Sequence, residues 1–76
     1  MLMKFEPKSS HLRKVEYDPE RKELTVHFHN GSEYRYVGFP MAAYENFQKY
    51  RSAGEFLHGV VKLYKGFKID KSGKVG

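Results

Sequence analysis

Three groups of side chains in this sequence have types and spacings that could do chemistry. His27 and His29 stand two apart, so on a strand both rings would leave the same face and could approach one metal ion. No third ligand follows at metal spacing, and the absence of cysteine excludes a thiolate zinc site. Two strand histidines beside Thr25 read instead as solvated surface residues. Serines, histidines and carboxylates also occur, but in no nucleophile-elbow, phosphate-loop or zinc pattern. A chain of 76 residues leaves little room for a pocket with supporting residues around it. The chain is therefore read as not an enzyme, with no catalytic residue, no metal, no cofactor and no small-molecule substrate.

The third group is basic. Lys62, Lys65, Lys68, Lys71 and Lys74 face a single acid, Asp70, over residues 62–76, and this stretch carries four of the five net positive charges. A lysine-rich end has two readings: a solvated tail, or a basic patch for nucleic acid. On the second reading the contacts are Arg13, Lys14, His27, Arg35, Lys62, Lys65 and Lys68, with His27 and Tyr64 or Phe67 as stacking rings. No ribonucleoprotein consensus, KH loop or helix-turn-helix pattern is present.

The elements that must position these residues follow from periodicity. Residues 1–8 show none and read as an irregular arm. In "HLRKVEY", Val15 and Tyr17 share a strand face, and Leu12 is out of phase by one, which predicts a bulge or a strand start. "YDPERKE" is a turn: the Asp18 carboxylate can accept from the backbone ahead, Pro19 presets the next position, and Lys22 falls where positive φ is expected. "ELTVHFH" alternates cleanly, with Leu24, Val26 and Phe28 on one face and Thr25, His27 and His29 on the other. "SEYRYVGF" is the third strand, ended by Gly38 and Pro40. From Pro40 the period lengthens. Ala43, Tyr44, Phe47 and Tyr50 mark an amphipathic helix. Ser52 and Glu55 open a second helix with a capping-box spacing, and Gly59 weakens it. "KLYKGFKI" alternates again, as a short strand or an extended arm.

The Tyr34-Arg35-Tyr36 segment is the pivotal ambiguity. With a two-residue Asn30-Gly31 loop, the tyrosines would join the polar face and Glu33 and Arg35 would be buried under the helices. With a three-residue loop, residues 29–31, Val26 faces Tyr34 and Leu24 faces Tyr36. Burying two charges costs several kcal/mol unless they are well paired. The second register is therefore expected, with Tyr34 and Tyr36 largely buried and Glu33 and Arg35 exposed.

The order of these pieces is that of a known family. "YDPE", "L-x-V-x-F-x-NGS-x-YRY", "FP…Y", and "S-x-G" followed by an aromatic pair and "VVK" resemble the KTSC domain over residues 9–65. That domain is named for its occurrence at the C-terminus of some lysyl-tRNA synthetases and also stands alone as a small bacterial or phage protein. Its hallmark Tyr-x-Tyr is matched by Tyr34 and Tyr36. Lys22 stands where such domains often carry Gly, and His58 where Asn is frequent. The resemblance implies a role with RNA, from the synthetase context, and supplies no catalytic residues.

The expected architecture is α+β: a three-stranded antiparallel β-meander covered on one face by two helices (β-β-β-α-α), with an extended C-terminal segment. The arm is 1–8, the single domain 9–69 and a flexible tail 70–76. The expected function is a small non-catalytic RNA- or nucleic-acid-binding module acting through a basic surface. The alternative is a protein-interaction or oligomerisation module. The start of the chain lacks an apolar signal core and no run is long enough to span a membrane, so a cytoplasmic location without membrane contact is expected.

Overall fold

The computed structural model describes residues 2–69, in the order β1 (Met3–Phe5), β2 (Leu12–Asp18), β3 (Glu23–Phe28), β4 (Glu33–Val37), α1 (Met41–Lys49), α2 (Ala53–Leu63) and β5 (Gly66–Ile69). The strands form one antiparallel sheet in sequence order, β1-β2-β3-β4-β5. The α+β class and the two helices match expectation; the sheet has five strands rather than three.

The hairpin between β3 and β4 sets the register. Gly31 adopts φ +93°, the left-handed region that a residue with a Cβ rarely enters. Its N–H donates to the Phe28 carbonyl at 3.0 Å, and the Phe28 N–H donates to the Ser32 carbonyl at 2.9 Å. Asn30 Oδ1 accepts from the Ser32 N–H at 2.9 Å. The loop is thus three residues long, with Val26 opposite Tyr34 and Leu24 opposite Tyr36, as the charge argument requires.

The turn between β2 and β3 also follows its sequence. Asp18 Oδ1 accepts from the N–H groups of Glu20 and Arg21 at 3.0 and 3.3 Å. Lys22 closes the turn at φ +55°, a conformation that costs a non-glycine residue about 1 kcal/mol. The Leu12 phase error is a bulge: the pairing slips between Leu12 and Lys14, so Leu12 and Val15 both reach the core.

The two additional strands lie at the sheet edges. Residues 3–5 fall within the stretch read as an irregular arm, where three residues are too few for alternation to register. Met3 and Phe5 nevertheless turn to the core while Lys4 turns away, and the Phe5 ring meets Tyr44 and Phe47 edge-on at 5.8 and 5.6 Å. β5 realises the strand reading of "GFKI" and pairs with β4. Its presence corrects a further expectation. β4 is not an edge but an interior strand, so Glu33 is only 8% exposed and Arg35 is half-buried. Tyr36 is buried as expected, and Tyr34 is half-buried, its ring edge-on to Phe28.

Both helices cover one face of the sheet. Pro40 precedes α1, which buries Tyr44 and Phe47. Ser52 caps α2 by accepting the Glu55 N–H at 3.3 Å, one half of the capping box, and α2 buries Ala53, Leu57 and Val60. The core joins these to Leu12, Val15, Tyr17, Leu24, Val26, Tyr36 and Phe39. Its centre is aromatic: the Tyr17 and Tyr44 rings stack at 4.9 Å and 15°. The two hydroxyls differ. That of Tyr17 donates to the Phe39 carbonyl, while that of Tyr44 has no hydrogen-bond partner among the described residues. No described helix is long and apolar enough to cross a membrane. The expected tail, 70–76, lies outside the described residues.

Candidate nucleic-acid interface

The face of the sheet away from the helices carries the alternate residues of each strand. Lys4 lies opposite Glu16, Glu16 opposite Thr25, Thr25 opposite Arg35, and Arg35 opposite Phe67. A second row runs Lys14, His27, Glu33, Ile69. Three of the basic candidates, Lys14, His27 and Arg35, sit here, and none stands alone.

His27 is 7% exposed and lies between two carboxylates. Its Nε2 is 2.7 Å from Glu16 Oε1, and its Nδ1 is 2.8 Å from Glu33 Oε2. The first contact has hydrogen-bond geometry; the second is close but off the hydrogen-bond line. Lys14 Nζ approaches Glu16 Oε2 at 4.0 Å. Arg35 Nε lies 3.9 Å from Glu23 Oε1 and donates to Thr25 Oγ1 at 3.5 Å. The open face therefore carries balanced charge. His27 presents no ring face to solvent, which corrects its expected place among the stacking rings. His29 does not join it: its ring faces the Ser9 carbonyl at 3.1 Å. Among the described residues no group of three or more His, Cys, Asp or Glu could hold a metal ion.

The glutamate partners of His27 were missed in the sequence, although one was implied. The three-residue loop places His27 directly opposite Glu33. That pairing follows from the register alone.

The remaining basic candidates fall into two places. Arg13 is the exposed extra residue of the β2 bulge. Lys62, Lys65 and Lys68 gather at the end of α2 and along β5, all exposed and without an ion pair among the described residues. The Lys65 carbonyl accepts the Val37 N–H at 3.1 Å, which fixes the start of β5 against β4. Of the two other stacking candidates, Tyr64 is half-buried with its ring edge-on to Phe39 at 4.8 Å. Phe67 is 49% exposed on the open face. The rim formed by the α2 end and β5 is thus a place where cations without an ion pair among the described residues and an open ring coincide.

Burial also sets the tyrosine chemistry. It raises the Tyr17 hydroxyl above its ordinary value, with the neighbouring Asp18 carboxylate adding to the effect. Burial raises Tyr36, with Tyr34 adding, and raises Tyr44 by itself. All three are protonated at neutral pH and act as packing groups.

Comparison with known proteins bears on the family and the fold. Over 58 residues the chain is 30% identical to a lysine–tRNA ligase of Nostoc sp., covering 76% of this chain and 10% of that protein. The chain thus spans about a tenth of the length of that relative. The crystal structure of a KTSC domain protein from Yersinia pestis superposes with a TM-score of 0.80 at 32% identity, covering 92% of this chain and all of the other. The sequence profile of the KTSC domain matches residues 8–64, and the chain belongs to that family.

Proposed function

We propose that this domain is a small non-catalytic module that binds RNA, mainly through charge, at the rim formed by the end of α2 and β5. The observation that carries the reading is the cluster of Lys62, Lys65 and Lys68, exposed and unpaired among the described residues, while Lys14 and Arg35 on the open sheet face lie against carboxylates. Phosphate is the anion that such a flexible lysine cluster suits, because the gain comes from counterion release and needs no fixed geometry. The relative from Nostoc sp. is named for tRNA, which makes RNA the first partner to test.

A protein-interaction role is the second reading. Leu63 is exposed, and it borders an apolar groove of about 270 Å³ between α1 and α2 with Phe39, Tyr50 and Phe56 in its lining. Ultraviolet crosslinking and capture from the cell of origin separates the two. The RNA reading expects RNA recovered above a control protein of similar size and charge. Recovery of protein alone overturns it.

A further inference from the structure

Five of the six phenylalanines lie in ring–ring contacts within the core or at its margin: Phe5, Phe28, Phe39, Phe47 and Phe56. Among the described residues Phe67 packs against no aromatic ring, and it is the exposed member of the set. Its place is specific. It sits on edge strand β5, directly across from Arg35 of β4. Alternation turns Gly66 and Lys68 toward the helix side and Phe67 with Ile69 to the open face, across from Arg35, whose Nε is directed to Thr25 and Glu23 of β3. The Arg35 side chain is itself 41% exposed.

An exposed phenylalanine on an edge strand is a liability for a small domain. Here it has polar and cationic company. Glu23 is held by Arg35, and Glu16 and Glu33 by His27, so the nearby carboxylates are already engaged. Lys65 and Lys68 bracket Phe67 in sequence, and Lys62 lies in the last turn of α2. A flat exposed apolar ring on a strand paired with that of Arg35, at a rim of lysines, matches an unpaired nucleobase followed by its phosphates. A second copy of this chain would bring the same lysines against these. A duplex keeps its bases stacked inside, out of reach of the ring.

Resting on the RNA reading above, we infer that the ligand is single-stranded RNA, with one base stacked on Phe67 across from Arg35 and the backbone crossing the rim to Lys65 and Lys68. The chain contains no tryptophan, so Phe67→Trp supplies a single indole emitter at the stacking position. The test measures fluorescence anisotropy of a labelled 12-nucleotide single strand and of the same strand in duplex, with wild type, Phe67→Ala, Phe67→Trp and Lys65→Gln/Lys68→Gln. Urea melts check that each variant is folded.

The single strand is expected to bind more tightly than the duplex. Phe67→Ala should lower that affinity roughly five- to a hundred-fold without changing its salt dependence. Phe67→Trp should keep the affinity and lose emission on adding the single strand. The lysine variant should flatten the salt dependence instead. Equal binding by wild type and Phe67→Ala, or equal binding of duplex and single strand, overturns the stacking site. If the lysine variant still weakens binding in that case, the electrostatic reading survives it. An indole response to an oligoglutamate peptide but not to RNA overturns both, and assigns the rim to an acidic protein segment.

Discussion

Gly66 is where the fold is least able to accept a side chain. A Cβ placed there would lie 2.3 Å from Cε1 and 2.4 Å from Cδ1 of Tyr36, with Cζ at 3.1 Å. The Tyr36 ring is 4% exposed and cannot swing into solvent. β5 is able to pair with β4 because the ring lies over the bare glycine backbone, an aromatic covering of a glycine in an edge strand. Gly66→Ala therefore forces either the ring or the strand to move. Overpacking of this kind costs about 1–3 kcal/mol, and the lower chain entropy of alanine in the unfolded state offsets up to ~1 of it. A net loss of about 1–2 kcal/mol lowers the melting temperature by roughly 4–16 °C in a domain of this size. Because β5 is short and at an edge, the strand should yield before the core does. Urea unfolding gives the energy, and amide exchange at residues 66–69 against the β2–β3 amides shows which part yields. Gly59→Ala is the control: nothing lies within 4 Å of its added carbon, and in a helix the change should stabilise by ~0.5–1 kcal/mol. A Gly66→Ala protein of wild-type stability with β5 amides still protected refutes the reasoning. If RNA affinity falls with β5 detached and no charge removed, the rim also needs its shape.

Other consequences concern the core and the open face. Tyr17→Phe removes a buried donor from the Phe39 carbonyl and should cost about 1–3 kcal/mol, whereas Tyr44→Phe deletes a hydroxyl without a partner and should be neutral or stabilising in the same urea assay. Equal losses in the two variants would contradict the assignment. His27→Leu leaves Glu16 and Glu33 without the ring between them; Glu16 is a quarter exposed, so the expected loss is about 1–3 kcal/mol rather than that of a fully buried pair. Stability should also fall in alkali. Below pH ~10 the tyrosine hydroxyls are protonated in both states, but above it the unfolded chain releases protons that Tyr17, Tyr36 and Tyr44 still hold in the fold. Absorbance at 295 nm, with Tyr→Phe variants for assignment, should show these three ionising above the ordinary tyrosine value in the folded protein, and their ionisation at that ordinary value would refute it.

The sequence made the interior of this fold legible where periodicity and turn chemistry agreed. The alternation of residues 23–29 marked β3, and Asn30-Gly31 with the cost of burying Glu33 and Arg35 selected the three-residue loop. The Leu12 phase error marked the bulge, and Lys22 was placed at positive φ from the turn alone. What escaped lay at the edges. Three residues at 3–5 are too few to show a period, and Phe5 owes its strand to rings supplied from residues 44 and 47. The burial of Glu33 depended on β5, whose pairing requires the fit of Gly66 to Tyr36, a contact between positions 30 residues apart that no local pattern encodes. The site followed the same division. Lysine clustering was visible in composition, but the neutralisation of Lys14 and Arg35 and the enclosure of His27 needed the cross-strand partners.

The central claim is that Lys62, Lys65 and Lys68 contact RNA phosphates together. The direct measurement is the affinity of wild type and of the Lys62→Gln/Lys65→Gln/Lys68→Gln variant for one labelled single-stranded RNA between 50 and 200 mM salt. Three phosphate contacts add about two units to the slope of log affinity against log salt, or roughly a 20-fold loss over that range. The account predicts a slope shallower by about two units in the variant, with the fold intact. Parallel slopes, or wild-type binding no stronger than that of a control protein of equal charge, would contradict it.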